Sequence, residues 1–165
     1  MQAPAPIVLR AAGSQDGVAV AGVFAAARAH MRYLPRLHSP AEEVAFFSEV
    51  VVPGSRVTVA AAHDDVVVGF SAVKDGWLDH LYVAPARQGA GIGKMLLDRA
   101  MTANPSGLHL WVFAANDRAI AFYGRAGFVE VLRTDGSANE ERQPDVQMRW
   151  PGRDSPPAGA VDPTP

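Results

Sequence analysis

The chain of 165 residues contains no cysteine. That removes disulfides, a thiolate nucleophile and every metal site built on sulfur. Its five histidines (His30, His38, His63, His80 and His109) form no pair at metal-ligand spacing, so no metal is expected. Neither charge sign is in excess: 15 basic residues stand against 17 acidic ones, a formal net charge of −2. Bulk electrostatics therefore offer no attraction to nucleic acid. No apolar run approaches the roughly 18 residues of a membrane span. The start, Met1-Gln2-Ala3-Pro4-Ala5-Pro6, has neither the basic nor the apolar region of a signal peptide. A cytoplasmic protein without membrane contact is the expectation. No internal repeat is present.

What is there suffices for one packed domain. The apolar fraction is 48%, ample for a core at this length, and the domain is expected over 1–150. Residues 151–165 are rich in Pro, Gly and Asp, with Val161 the one aliphatic residue. They read as a disordered tail, because they bury too little to offset their ordering entropy. Ile7-Val8-Leu9 reads as a first strand, and Ser14 or Asp16 can cap a helix through Val18, Val23, Phe24 and Ala27. Ser39-Pro40-Ala41-Glu42 is a capping box with proline at the first helical position. It opens a helix carrying Val44, Phe47 and Val51, stopped by Pro53-Gly54. Val57–Ala61, Val66–Val73 and Trp77–Val83 form an antiparallel meander. A helix ending near Asn104-Pro105 then carries the chain to Leu108–Phe113, a strand that must run parallel to Trp77–Val83. Ala119–Ala126 is the next helix, closed by Gly127, and Phe128–Leu132 and Val146–Trp150 finish the sheet. The result is an α/β chain of the α+β type. It has a mixed, mostly antiparallel seven-stranded sheet with helices on both faces.

The most informative segment joins the fourth strand to its helix: Gln88-Gly89-Ala90-Gly91-Ile92-Gly93-Lys94. A strand entering a helix through a glycine turn builds an anion site. Glycine can aim successive N–H groups inward, and the helix dipole adds about half a positive charge. Spacing excludes the two commonest versions. A P-loop needs glycine where Gln88 stands and Ser/Thr where Met95 stands, and the dinucleotide fingerprint needs glycine where Lys94 stands. Gly69-Phe70-Ser71-Ala72-Val73 likewise starts as a nucleophile elbow but lacks its last glycine.

With Tyr82-Val83-Ala84-Pro85 before it and Met95-Leu96-Leu97 after it, Gln-x-x-Gly-x-Gly resembles the acetyl-CoA signature of the GNAT N-acetyltransferase superfamily. A second segment, Asn116-Asp117-Arg118-Ala119-Ile120-Ala121-Phe122-Tyr123-Gly124-Arg125-Ala126-Gly127-Phe128, resembles the later GNAT motif at each defining position. The likeness covers residues 66–132, about 40% of the chain. It implies the GNAT fold and direct acyl transfer from the co-substrate acetyl-CoA to a primary amine of a small molecule or peptide. By position it implies that Gln88, Gly89, Ala90, Gly91, Gly93 and Lys94 hold the diphosphate, with Arg87 adding charge. Leu81 and Val83 would lend backbone groups to the pantetheine arm, the Val83 N–H facing the developing oxyanion, while Asn116 and Phe122 flank it. Tyr123 would be the acid for the leaving thiolate, its phenol staying protonated at neutral pH.

The base is less determined. Strand alternation puts residues 77, 79, 81 and 83 on one face, which turns Asp79 toward the slot and His80 away. Asp79 is the leading base, with His80 (given a bulge) or water as alternatives. Acceptors in the superfamily lie between the first two helices and the loop joining the sixth and seventh strands. Here His30–His38 mixes aromatic and cationic groups, whereas Asp135, Glu140 and Glu141 favour a cationic amine. Dimerisation is common in the superfamily, which leaves a homodimer open. A non-catalytic acetyl-CoA sensor and a nucleotide-binding α/β protein are the readings of other classes.

Overall fold

The computed structural model describes residues 6–155. The chain runs β1 (Val8–Ala11), α1 (Gly17–Arg28), α2 (Pro40–Phe46), a π-helical turn (Phe47–Val51), a last helical turn α3 (Val52–Gly54), β2 (Arg56–Ala61) and β3 (Val67–Lys74). It continues through β4 (Trp77–Val83), α4 (Ile92–Ala103), β5 (Leu108–Phe113), α5 (Asp117–Arg125), β6 (Val129–Thr134) and β7 (Asp145–Trp150). The strands form one sheet in the order β1-β2-β3-β4-β5-β7-β6, antiparallel except where β4 meets β5. This matches the expected element order. Within the stretch expected as a tail, the Arg153 N–H donates to the Pro105 carbonyl, 3.0 Å. Residues 156–165 and the signal-peptide window, apart from Pro6, lie outside the described residues.

Two helical layers sandwich the sheet. On one face α1 and the 40–54 helix bury Val20, Val23 and Phe47 against Val57, Val59, Phe70 and Ala72. On the other, α4 and α5 bury Leu96, Leu97, Ala100 and Tyr123 against Leu78, Val83, Leu110 and Met148. β3 is covered on both sides, which is why Val67–Val73 is apolar at every position but Ser71 rather than alternating. The capping box forms as expected: the Glu42 N–H donates to Ser39 Oγ at 3.3 Å, and the Ser39 N–H donates to Glu42 Oε2 at 2.7 Å.

The second motif's spacing is a helix terminus. Gly127 takes φ +98° and its N–H donates to the Gly124 carbonyl, while the Phe128 N–H donates to the Tyr123 carbonyl. That is a Schellman cap, and the Tyr123 and Phe128 rings make its accompanying apolar contact at 5.6 Å. Tyr-x-x-x-Gly-Phe thus fixes the tyrosine at one height above the sheet.

The entry to α1 is fixed by charge. Asp16, 5% exposed, accepts from both guanidinium Nη atoms of Arg10 (2.8 and 2.9 Å) and from the Gly13 N–H (2.7 Å). The Arg10 hydrogen bonds, with the Gly13 N–H, hold the Asp16 carboxyl below its ordinary range despite burial. A depressed pKa contributes stability above about pH 4, lost as pH falls through the lower folded value. Asp16→Ala leaves Arg10 part-buried, with one partner fewer, and should cost about 2 kcal/mol. Thermal melting at pH 7 is expected to fall by about 4–8 °C; an unchanged midpoint would contradict the assignment.

Candidate active site

The sheet opens between β4 and β5. Only Trp77 and His109 pair, with the His109 N–H donating to the Gly76 carbonyl at 2.9 Å, and beyond them the strands diverge. At the far end the Ala84 N–H donates to the Val68 carbonyl of the β3 side, 2.8 Å. Antiparallel ladders alternate, so Tyr82 also bonds toward β3 while the backbone groups of Leu81 and Val83 point into the opening. One of them is used locally: the Val83 carbonyl accepts from the Gln88 side-chain amide at 3.1 Å. Gln88 therefore ties the glycine turn to the end of β4.

That turn runs Pro85–Arg87, Gln88, Gly89 and Gly91, with φ +80° and +81° at the two glycines, and Gly91 is the N-cap of α4. Both glycines sit in the left-handed region that other residues reach only with strain. No side chain caps α4, so its first N–H groups remain available to a ligand.

The opening is a cleft of about 610 Å³. Of the residues expected to hold a cofactor, Leu81, Val83, Gln88, Gly89, Gly91, Gly93, Lys94, Asn116 and Phe122 line it, together with Tyr123 and Asp79. Ala90 does not: its side chain is exposed outside the cleft. Lys94 is at the rim with its ammonium paired to Asp98, one turn along α4. Asn116 Oδ1 accepts from the Ala119 N–H at 3.1 Å and so caps α5. Three cations beyond Lys94 face the cleft: Arg87, Arg118 and Arg125. The last two escaped the sequence reading, although Arg118, Phe122 and Arg125 fall at i, i+4 and i+7 of one helix face.

β4 carries a bulge. Ala72 opposes His80 and Val73 opposes Leu78, leaving Asp79 as the extra residue. Strict alternation therefore fails here: Leu78, Leu81 and Val83 all pack toward α4 and α5. Asp79 is exposed at the cleft, and partial burial raises its pKa against the opposing effect of Lys74. His80 does not line the cleft. The bulge leaves its ring facing the α1 side, among Phe24, Phe46, Phe47 and Phe70 at 5.2–6.4 Å, with Nδ1 unpartnered. Tyr123 is 8% exposed, and burial, with a smaller effect of Tyr82, raises its phenol above the ordinary value.

The acceptor end differs from its sequence reading. Glu141 is paired with Arg28 at 2.8 Å and Glu140 with His38 at 2.8 Å. The two carboxylates strap the 135–144 loop to α1 and the segment after it; they are not free for an amine. Asp135 is exposed and accepts from the Ser137 N–H in its own turn, 2.9 Å. Arg28 lies over the rings of Phe24 (5.1 Å) and Phe113 (5.7 Å). What faces this end of the cleft is aromatic: Tyr33, Tyr82, Trp111 and Phe113. Tyr82 lies on the α1 side of β4, opposite Leu81 and Val83 as alternation requires, and it reaches the cleft where the strands part.

Residues 53–130 match the family model of the acetyltransferase (GNAT) domain. The peptidyl-lysine N-acetyltransferase YjaB of Salmonella typhimurium is 38% identical over 84 residues, 51% of this chain and 57% of that relative. The chain therefore aligns with little more than half the length of that relative. The solution structure of apo YjaB from Escherichia coli superposes with a TM-score of 0.71 at 22% identity, over 89% of this chain and 99% of that one. The structure of YncA from Salmonella typhimurium with its cofactor acetyl-CoA gives 0.70 at 20% identity, over 94% and 99%. At such identities the two superpositions establish the fold.

His80 generates a test of the site's geometry. Burial, assisted by Arg28, lowers its imidazole to about 4. Between about pH 4 and 6.5 the unfolded chain then binds a proton that the folded chain does not, so stability rises with pH across that window. The slope is at most about 1.4 kcal/mol per pH unit. NMR should find the His80 ring signals unmoved from pH 8 to 5, and His80→Phe should flatten the slope. A His80 titration near pH 6.5 would contradict the placement.

Proposed function

We propose that this chain, which belongs to the GNAT superfamily, moves an acetyl group from acetyl-CoA directly to a primary amine. The observation that carries this reading is the divergence of β4 from β5 beside an uncapped helix start. It leaves the Val83 N–H and the backbone groups of Leu81 without a strand partner, in line with the glycine turn. An extended amide chain ending in a diphosphate satisfies both at once. The arm pairs with the free strand edge as an added strand, and the phosphates meet the α4 N–H groups, with Arg87, Arg118 and Arg125 supplying charge.

Acetyl-CoA, when bound, supplies an activated acyl carbon and a sulfur leaving group. The remaining work falls to this chain. The Val83 N–H points into the opening, where it donates to oxygen as negative charge grows there. Tyr123 keeps its proton at neutral pH because burial opposes its ionisation. Its O–H donates to sulfur as that atom takes up charge. With the phenol well above a typical thiol, complete transfer costs about 1.4 kcal/mol per pKa unit of difference. The contribution is therefore mainly hydrogen-bond stabilisation. Asp79, whose partial burial raises its pKa, accepts the amine's proton directly or through water.

Glu140 and Glu141 at the acceptor end are already paired, and the wall there is aromatic. That suits an amine on an apolar stem more than one beside a carboxylate. A lysine side chain in a peptide meets the description, and the YjaB relative named above makes it the first acceptor to test.

Acetyl-CoA at 100 times its dissociation constant should raise stability by about 2.7 kcal/mol, whereas ATP and NAD should leave melting unchanged. Thiol release over an amine panel then separates turnover from mere binding; a melting shift without release would make the protein a sensor. Tyr123→Phe should lower kcat about ten- to a thousandfold, and wild-type turnover in that variant would remove the role. Asp79→Asn should displace the acidic limb of the kcat/KM profile, and an unmoved limb would reject Asp79 as the base.

A further inference from the structure

Three side-chain polar atoms among the described residues are buried without a hydrogen-bond partner: His80 Nδ1, His109 Nδ1 and Tyr33 Oη. Only Tyr33 lines the cleft. A buried hydroxyl with nothing to bind is disfavoured unless a ligand or water completes it. The other two atoms lie on rings packed against aromatic neighbours, His80 on Phe47 at 5.2 Å and His109 on Trp77 at 5.0 Å.

Tyr33 is not at liberty to turn away. Its ring stands edge-on to Phe113 at 6.0 Å and 69°. Phe113 in turn lies under the Arg28 guanidinium at 5.7 Å, which Glu141 fixes at 2.8 Å. Tyr33, Tyr82 and Tyr123 all line the same cleft, so the three phenols face one space. Tyr33 thus stands on the acceptor side of the cleft that Tyr123 closes from the α5 side.

We propose that Tyr33 Oη is a binding group for the acceptor, accepting a hydrogen bond from an N–H of the incoming amine. This inference rests on the acetyltransfer reading above. A neutral primary amine carries two N–H bonds and one lone pair. Donation of one N–H to Oη leaves the lone pair free for the acyl carbon, whereas a phenol donating to that lone pair would block attack. Tyr33 therefore fixes the nitrogen's orientation, and the oxygen finds the partner the protein alone does not give it.

The test is steady-state thiol release by wild type and Tyr33→Phe. Acetyl-CoA is varied against an N-terminally blocked hexapeptide with one lysine, and separately against n-butylamine. The phenyl ring keeps the contact with Phe113, so melting should stay at or above the wild-type midpoint. The acceptor KM should rise about two- to twelvefold, the effect of one neutral hydrogen bond, for both amines, while the acetyl-CoA KM stays unchanged. An unchanged acceptor KM, a loss confined to the acetyl-CoA KM, or a lowered melting point would overturn the inference while leaving the acetyltransfer reading intact. Wild type that releases no thiol with any amine would remove that reading, and this inference with it.

Discussion

Everything at the site depends on one failure of pairing. In a sheet otherwise laddered from β1 to β6, β4 and β5 share a single residue pair and then separate. Unpaired backbone groups inside a fold are costly unless something satisfies them. Here the surroundings hold the strands apart instead of closing the gap. The bulge at Asp79 interrupts β4, Gln88 occupies the Val83 carbonyl, and the left-handed glycines bend the chain away into α4. The opening is thus a built feature, with unsatisfied groups along its edge.

The two helical layers divide the labour around that edge. On the α4–α5 side, the Schellman cap and the packing of Phe122 and Phe128 fix Tyr123 with little freedom. On the α1 side the wall is aromatic and held by paired charges, with Arg28 between Phe24, Phe113 and Glu141. Burial acts on the ionisable groups of both sides in the same direction, favouring their neutral forms. It keeps Tyr123 protonated, lowers His80 to about 4 and raises Asp79. Among the described residues, no helix is long and apolar enough to cross a membrane.

Much of this was legible in the residues, because the determinants are local. The glycine turn, the Ser39–Glu42 box and the Gly127 terminus each follow from backbone preferences of a few neighbouring residues, and element order followed from them. What was hidden depends on contacts distant in sequence. Period-two alternation cannot register a bulge, so Asp79 reached the cleft by a different route from the one its parity suggested. Leu78 joined the α4–α5 layer against that parity. The acidic loop looked like an amine site because nothing in its own composition shows that Arg28, 113 positions away, neutralises Glu141. Lys94 lines the cleft as its place in the motif suggested, and its exposed pairing with Asp98 one turn on is a contact the motif alone does not show. The orphaned Tyr33 hydroxyl has no sequence signature, being defined by what surrounds it.

The central claim is that the opened strand edge and the amides after it form one continuous seat for coenzyme A. Backbone amide NMR during titration with acetyl-CoA addresses this most directly. The largest shift changes should fall on Leu81, Val83 and residues 89–94. β1, β2 and β6 should move little. Saturation with changes confined elsewhere, or no change at millimolar coenzyme, would contradict it.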